Sequence, residues 1–256
     1  PLGWAEVTGW LLGPRSIARS LLAGRAVRAG RPDDPAMSVP TLLDLDSALT
    51  PEAQLDTAEV ILRTMGMVES FAPLVVFVGH GTSTTNNAYR TALDCGACGG
   101  HRGAPNARAA AALLNTPAVR VGLSERGISI PEATVFLAGE HDTATDVVTL
   151  ADLHRLEPVR RDAAAEVERD ARAAGHDLAA ERMLDLPGAS ARTPASIAAA
   201  RRSRDWAQVY PEWGLARNAA IVIGPRSLTA GADLERRVFL HSYAPEHDAE
   251  GAALET

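Results

Sequence analysis

The chain has 256 residues and contains no lysine; all 25 of its basic residues are arginine. A Walker A loop needs a lysine on the phosphates, so that class of nucleotide site is excluded. Cysteine is almost as scarce. The two present, Cys95 and Cys98, lie three apart and make a poor disulfide framework. No apolar run reaches the roughly 18 residues of a transmembrane helix. The first thirty residues carry arginines where a signal peptide would have a long apolar core. A basic excess is missing too: the formal net charge is −7, which argues against a broad nucleic-acid-binding surface. No internal repeat or low-complexity tail is present. The preference for arginine and alanine reads as codon bias and is assigned no function.

Apolar residues make up 46% of the chain, enough to bury a sizeable core, and charged residues 22%, an ordinary share. The length suits one large domain or two small ones. The chain starts at a proline and stops at "GAALET" with no turn or capping signal, so it reads as a piece of something longer. Residues 1–49 read as an arginine-rich helical lead-in with a linker, and 50–256 as an α/β domain. In "PLGWAEVTGWLLGPRSIARSLLAGRAVRAGRP" helical turns are expected to break at Pro14. Arg15 to Arg31 holds five arginines and no acid. Such a stretch either lies on a membrane or partner, or is a solvated helix face. Residues 33–50 read as a Pro- and Asp-bearing linker.

In "TPEAQLDTAEVILRTMGM" Thr50 is the expected N-cap, Pro51 the first helical residue and Gly66 the close. The run Leu74 to Val78 is continuous, apolar and rich in β-branched residues, as in a buried parallel strand. It stops at Gly79-His80-Gly81. Ligands in open α/β sheets collect at the carboxyl ends of strands, which is where His80 stands. "PNARAAAALLNTPAVRVGLSERG" predicts two short helices separated at Pro117. "ATVFLAGEHDT" predicts a second strand that ends in a polar cluster with His141. Residues 157–184 predict a long charged helix with alanines on its inner face. "GLARNAAIVIGP" and "RRVFLHSY" predict two more strands, with His241 near the end of the last. Strands alternating with helices give an α/β fold with a mainly parallel sheet flanked by helices.

The chemistry concentrates in "VGHGTSTTNNAYRTALDCGACGG" and the histidine that follows. His80, Cys95, Cys98 and His101 supply four imidazole or thiolate groups within 22 residues. Four such groups suffice for a structural zinc site and three for a catalytic one. Gly96, Gly99, Gly100 and Gly103 would let the backbone fold tightly around an ion. Two other readings stay open: a thiol redox pair at Cys95 and Cys98, and a turn-rich glycine loop held by its own side chains. The asparagines and hydroxyls of "TSTTNN" either orient a ligand or cap such a loop. In "GEHDTATD", His141, Asp142 and Asp146 either join a site at the strand ends or are simply hydrogen-bonded to one another. "GHGTST" lacks the third glycine of a dinucleotide fingerprint, and no Gly-x-Ser-x-Gly elbow occurs.

Several longer segments carry a resemblance. "FAPLVVFVGHGTSTTNNAYRTALDCGACGG", "NARAAAALLN", "GISIPEATVF", "ERMLDLP", "RSRDWAQVYPEWGLARNAAIVIGPRSLT" and "RRVFLHSY" together resemble the DabA family. These are soluble subunits of a two-component bacterial inorganic carbon accumulation system, and the resemblance runs from about residue 50 to the end. It implies a core similar to β-carbonic anhydrases, where zinc is held by a Cys-x-Asp, a histidine and a second cysteine. The matching histidine is His80 and the matching second cysteine is Cys95. On that mapping Cys98 and His101 are not ligands, and Asn86, Asn87 and the neighbouring hydroxyls would line the pocket or hydrogen-bond to the ligands. The first cysteine, its aspartate and the arginine paired with that aspartate lie upstream in the family. The catalytic residues are therefore expected outside this chain, which would be inactive alone. The resemblance further implies hydration of CO2 to bicarbonate, a membrane cation-conducting partner (DabB-like), and a peripheral place on the cytoplasmic side of the cell membrane. The alternative from another class is a local Cys2His2 structural zinc module with a binding role.

Overall fold

A computed structural model describes residues 12–15, 17–18, 43–82, 102–184, 193–203, 219–235 and 237–247. Residues 12–15, which include Pro14, and 17–18 are helical. Within the expected linker a short helix, α1 (Leu45–Ala48), is capped by Asp44, whose carboxylate accepts from the Ser47 N–H at 3.1 Å. Helix α2 (Pro51–Thr64) begins as its sequence predicts. The Thr50 hydroxyl accepts from the Ala53 N–H at 3.2 Å, and Pro51 needs no donor in the first turn. It closes at Gly66, whose φ of +67 turns the chain out of the helix.

Strand β1 (Leu74–Gly81) is followed by α3 (Ala104–Leu114) and α4 (Pro117–Glu125), and then by β2 (Val135–Asp142). β2 pairs with β1 in parallel over the full length of both, from Leu74 opposite Val135 to Gly81 opposite Asp142. A tight turn then leads to β3 (Val147–Leu150), which pairs antiparallel with the end of β2. The three-stranded sheet, ordered β1-β2-β3, is therefore mixed, with one parallel and one antiparallel pairing where a mainly parallel sheet was expected. "VVTL" escaped the sequence reading because its turn carries none of the glycine or proline that marks a hairpin. Asp146 supplies the needed left-handed backbone itself, at φ 58. Helices α5 (Pro158–Leu184) and α6 (Ala195–Arg202) follow. Last come β4 (Ala220–Ile223) and β5 (Val238–His241), a separate parallel pair.

Alternation along β1 and β2 sends side chains to two faces. On one face Val75, Phe77, Phe136 and Ala138 pack with Ala58 and Leu62 of α2, Ala107, Ala111 and Leu114 of α3, and Leu123 of α4. Phe77 and Phe136 stack with centroids 5.7 Å apart, and Phe71 meets Phe136 edge-on. Burying Phe136 contributes about 3 kcal/mol at most by transfer from water. On the other face Leu137, Leu150, Leu156 and Ala164 form a second apolar cluster under α5, joined by Leu74 and Val76. Beyond the reach of β3, Asn115 completes the β2 edge. Its side-chain amide donates to the Phe136 carbonyl at 2.7 Å and accepts from the Phe136 N–H at 3.0 Å.

Candidate functional site

The ends of β1 and β2 bring polar side chains together above a covered sheet. His80 and His141 are register partners on these parallel strands. Paired residues of neighbouring strands share a face at a strand spacing of about 4.8 Å, so both imidazoles stand on the α5 face. His80 is half-buried. Burial holds its ring below the ordinary imidazole value, and nearby His141 pushes the same way, against a weaker opposing pull from Glu140. The neutral ring this favours is the form that a metal ion binds.

Behind His141 lies a buried ionic chain. Its Nε2 is 3.0 Å from Asp146 Oδ1, and Arg182 Nη1 is 2.9 Å from Asp146 Oδ2. The Asp146 side chain is 2% exposed and that of Arg182 8%, so the two charges must be held by each other and by neighbours. Arg182 also donates to the Thr143 carbonyl at 2.9 Å, tying the end of α5 to the β2–β3 turn. The helix can come this close because residue 175 is glycine: a Cβ there would stand 2.3 Å from the Asp146 carbonyl oxygen. Asp142 is committed to the same turn, accepting from the Ala144 N–H at 3.1 Å and the Thr145 hydroxyl at 2.7 Å.

The opposite face carries the Arg102–Glu140 pair. The Glu140 side chain is 4% exposed, and Arg102 Nε donates to both of its oxygens at 3.1 Å, with Nη2 closing the fork. Gly81 leaves room for this pair, since a Cβ there would lie 3.1 Å from the Glu140 carboxylate and 3.2 Å from Arg102 Nε. Gly79 and Gly103 touch backbone to backbone, and a Cβ on Gly79 would lie 2.4 Å from the Gly103 carbonyl carbon. The Gly103 N–H donates to the His80 carbonyl at 2.7 Å, while the Thr143 N–H donates to that of Gly81 at 2.8 Å. Thr82 and Arg102, which flank the cysteine segment in sequence, thus both stand at the His80 end of β1.

The structure brings together His80 and His141. It commits Asp142 to a turn and places Asp146 behind His141. Gly103, one of the glycines expected around an ion, lies against the backbone of β1 at Gly79 and His80. His241 ends β5 in the second sheet, opposite Ile223. Cys95, Cys98, His101, Asn86 and Asn87 lie outside the described residues. Among the described residues no three or more His, Cys, Asp or Glu side chains gather as a metal site. None of the helices among them is long and apolar enough to cross a membrane. Sequence reasoning missed Arg102, Glu140 and Arg182. The only local trace of the first two is the glycine at 81.

A family model described as "Probable inorganic carbon transporter subunit DabA" matches residues 1–256. Among curated relatives, one of that description from Salinibacter ruber is 45% identical over 254 residues, which is 96% of this chain and 29% of the relative. A second, the DabA2 subunit of Halothiobacillus neapolitanus, is 46% identical over 224 residues, covering 87% of this chain and 27% of its own. A third, from Geobacillus kaustophilus, is 44% identical over 266 residues, at 97% and 30% coverage. The chain therefore spans under a third of the length of these relatives. No solved structure matches.

Proposed function

The chain belongs to the DabA family of probable inorganic carbon transporter subunits, and from that premise we propose that it is the part of a zinc-dependent carbon uptake subunit that carries two of the zinc ligands. His80 and Cys95 are those ligands, by the family pattern that both residues match. The observation that carries this reading is the place and state of His80: the carboxyl end of a central strand, half-buried and held toward the neutral form. A neutral imidazole and a thiolate are the donors zinc takes. When bound, zinc supplies an acidified water, its pKa brought down to about 7, for attack on carbon dioxide.

This chain's residues bind and shape. His80 offers its ring lone pair from a rigid strand. Arg102 and Glu140 hold the return of the chain from the cysteine segment against the same strand end. Two ligands fall short of the three that a catalytic zinc takes from protein, so the remaining ones are supplied from outside this sequence. The product would be bicarbonate, delivered in concert with a membrane cation-conducting partner on the cytoplasmic side of the membrane.

The test is zinc content per chain after dialysis against a weak chelator, in the native protein and in His80→Ala, Cys95→Ser and Cys98→Ser. Weak binding lost in the first two variants and kept in the third supports the proposal. One tightly held zinc that also needs Cys98 replaces it with a local Cys2His2 module.

A further inference from the structure

Strand β1 is built like an interior strand but stands at an edge. Its side chains pack on both faces, Val75 and Phe77 with α2, α3 and α4, and Leu74 and Val76 in the cluster under α5. From Leu74 to Val78 it is continuously apolar, as strands inside a parallel sheet are. Yet the order β1-β2-β3 gives it a single neighbour, β2. At the opposite edge β3 is blunted by its length of four residues. β1 runs for eight residues, LVVFVGHG, with no acid, arginine or proline to guard its edge.

The ladder fixes which backbone groups face outward. The Val135 N–H donates to the Pro73 carbonyl at 3.0 Å, and the Thr143 N–H to the Gly81 carbonyl at 2.8 Å. The parallel register runs unbroken between these two bonds, so the odd-numbered residues of β1 turn their main chain toward β2. The even-numbered residues, Leu74, Val76, Val78 and His80, turn theirs the other way. In keeping with this, the His80 carbonyl is taken by the Gly103 N–H at 2.7 Å and not by β2. Among the described residues nothing pairs with the outward N–H and C=O groups of Leu74, Val76 and Val78. The Val78 side chain beside them is 48% exposed. A row of alternate donors and acceptors along an apolar strand is a template for one more strand.

We propose that the outer edge of β1 is an interaction surface that pairs with a β-strand from the part of the family subunit lying outside this chain. The chain spans 29% and 30% of two of its relatives, so most of the subunit is there to supply that strand. The incoming strand carries apolar side chains to both faces, because it continues a sheet that is covered on both, and it lays one of them over Val78. It bonds to the main chain of Leu74, Val76 and Val78. Its ladder ends before the His80 carbonyl, which Gly103 already holds. The proposal stands apart from the zinc reading, since no metal ligand enters it.

The experiment is hydrogen exchange at single-amide resolution, in the whole 256-residue chain and in the full-length Salinibacter ruber relative at the aligned residues. In the chain alone the Val75 and Phe77 amides, which face β2, should exchange about 100-fold or more slowly than those of Leu74, Val76 and Val78. In the full-length relative the amides aligned with Leu74, Val76 and Val78 should slow to the rate of their inward neighbours at every protein concentration. Slow outward amides in the chain alone overturn the proposal, since the chain then covers its own edge. An inward row as fast as the outward one in the chain alone removes the β1–β2 ladder on which the proposal stands. Fast outward amides in the relative overturn it by leaving the edge open. Protection in the relative that fades on dilution overturns it by making a second copy the occupant. Protection of one outward amide without the other two is a loop contact, not a strand, and overturns it as well.

Discussion

At the scale of single residues, the site is built as much from missing side chains as from those present. Gly79 and Gly103 allow two backbones to touch, Gly81 admits the Arg102–Glu140 fork, and Gly175 lets α5 reach the Asp146 carbonyl. The fork is the sharpest test of this architecture. Glu140 is almost fully buried, so removing Arg102 strands a carboxylate away from water. Arg102→Ala is expected to cost about 3 kcal/mol, and adding Glu140→Gln to it should recover much of that loss. Urea unfolding of the two single variants and the double variant checks this. Equal losses that simply add would mean the pair is not coupled.

At the scale of elements, one link between α2 and the end of α4 makes stability depend on pH. Arg126 donates to Asp56 at 2.7 Å and to Glu59 at 2.6 Å, and Glu59 also accepts from Arg63 at 2.8 Å. Partial burial alone would raise the Glu59 carboxyl, but the hydrogen bonds and charges of Arg126 and Arg63 outweigh it and hold it below the ordinary 4.5. The folded chain therefore releases this proton more readily than the unfolded chain does. The contribution is fully present above pH 4.5 and drains away as pH falls through the lower folded value. Since the group is partly exposed, it is worth about 1 kcal/mol or less. Unfolding free energies measured from neutral pH down to acid should fall less steeply in Glu59→Gln than in the native chain.

At the scale of the whole molecule, the two sheets differ in how much structure covers them. β1 and β2 are packed on both faces, by α2, α3 and α4 on one side and α5 on the other. β4 and β5 form a two-stranded parallel pair whose Ile221, Ile223 and Phe239 are 59%, 53% and 41% exposed. Two strands alone are marginal in water. Native-state hydrogen exchange is expected to protect the β1–β2 amides about 100-fold or more over those of β4–β5. Equal protection would show that both sheets open as one unit. The family relatives are more than three times as long as this chain.

Much of this architecture is legible from local pattern. The β1 run, the capped start of α2, the paired helices around Pro117 and the long α5 all stand where periodicity and capping residues put them, because each is set by neighbours in sequence. His80 was legible for the same reason: an apolar strand ending in Gly-His-Gly places it at a sheet edge. The resemblance to the DabA family was legible from motifs alone. What the tertiary structure decided is the company His80 keeps. That His141 faces it depends on strand register, and that Asp146 and Arg182 hold His141 depends on α5 meeting a turn. Arg102 and Glu140 are 38 residues apart and pair only because β2 lies beside β1. Such pairings answer to distances across the fold, and no local period in the chain encodes them.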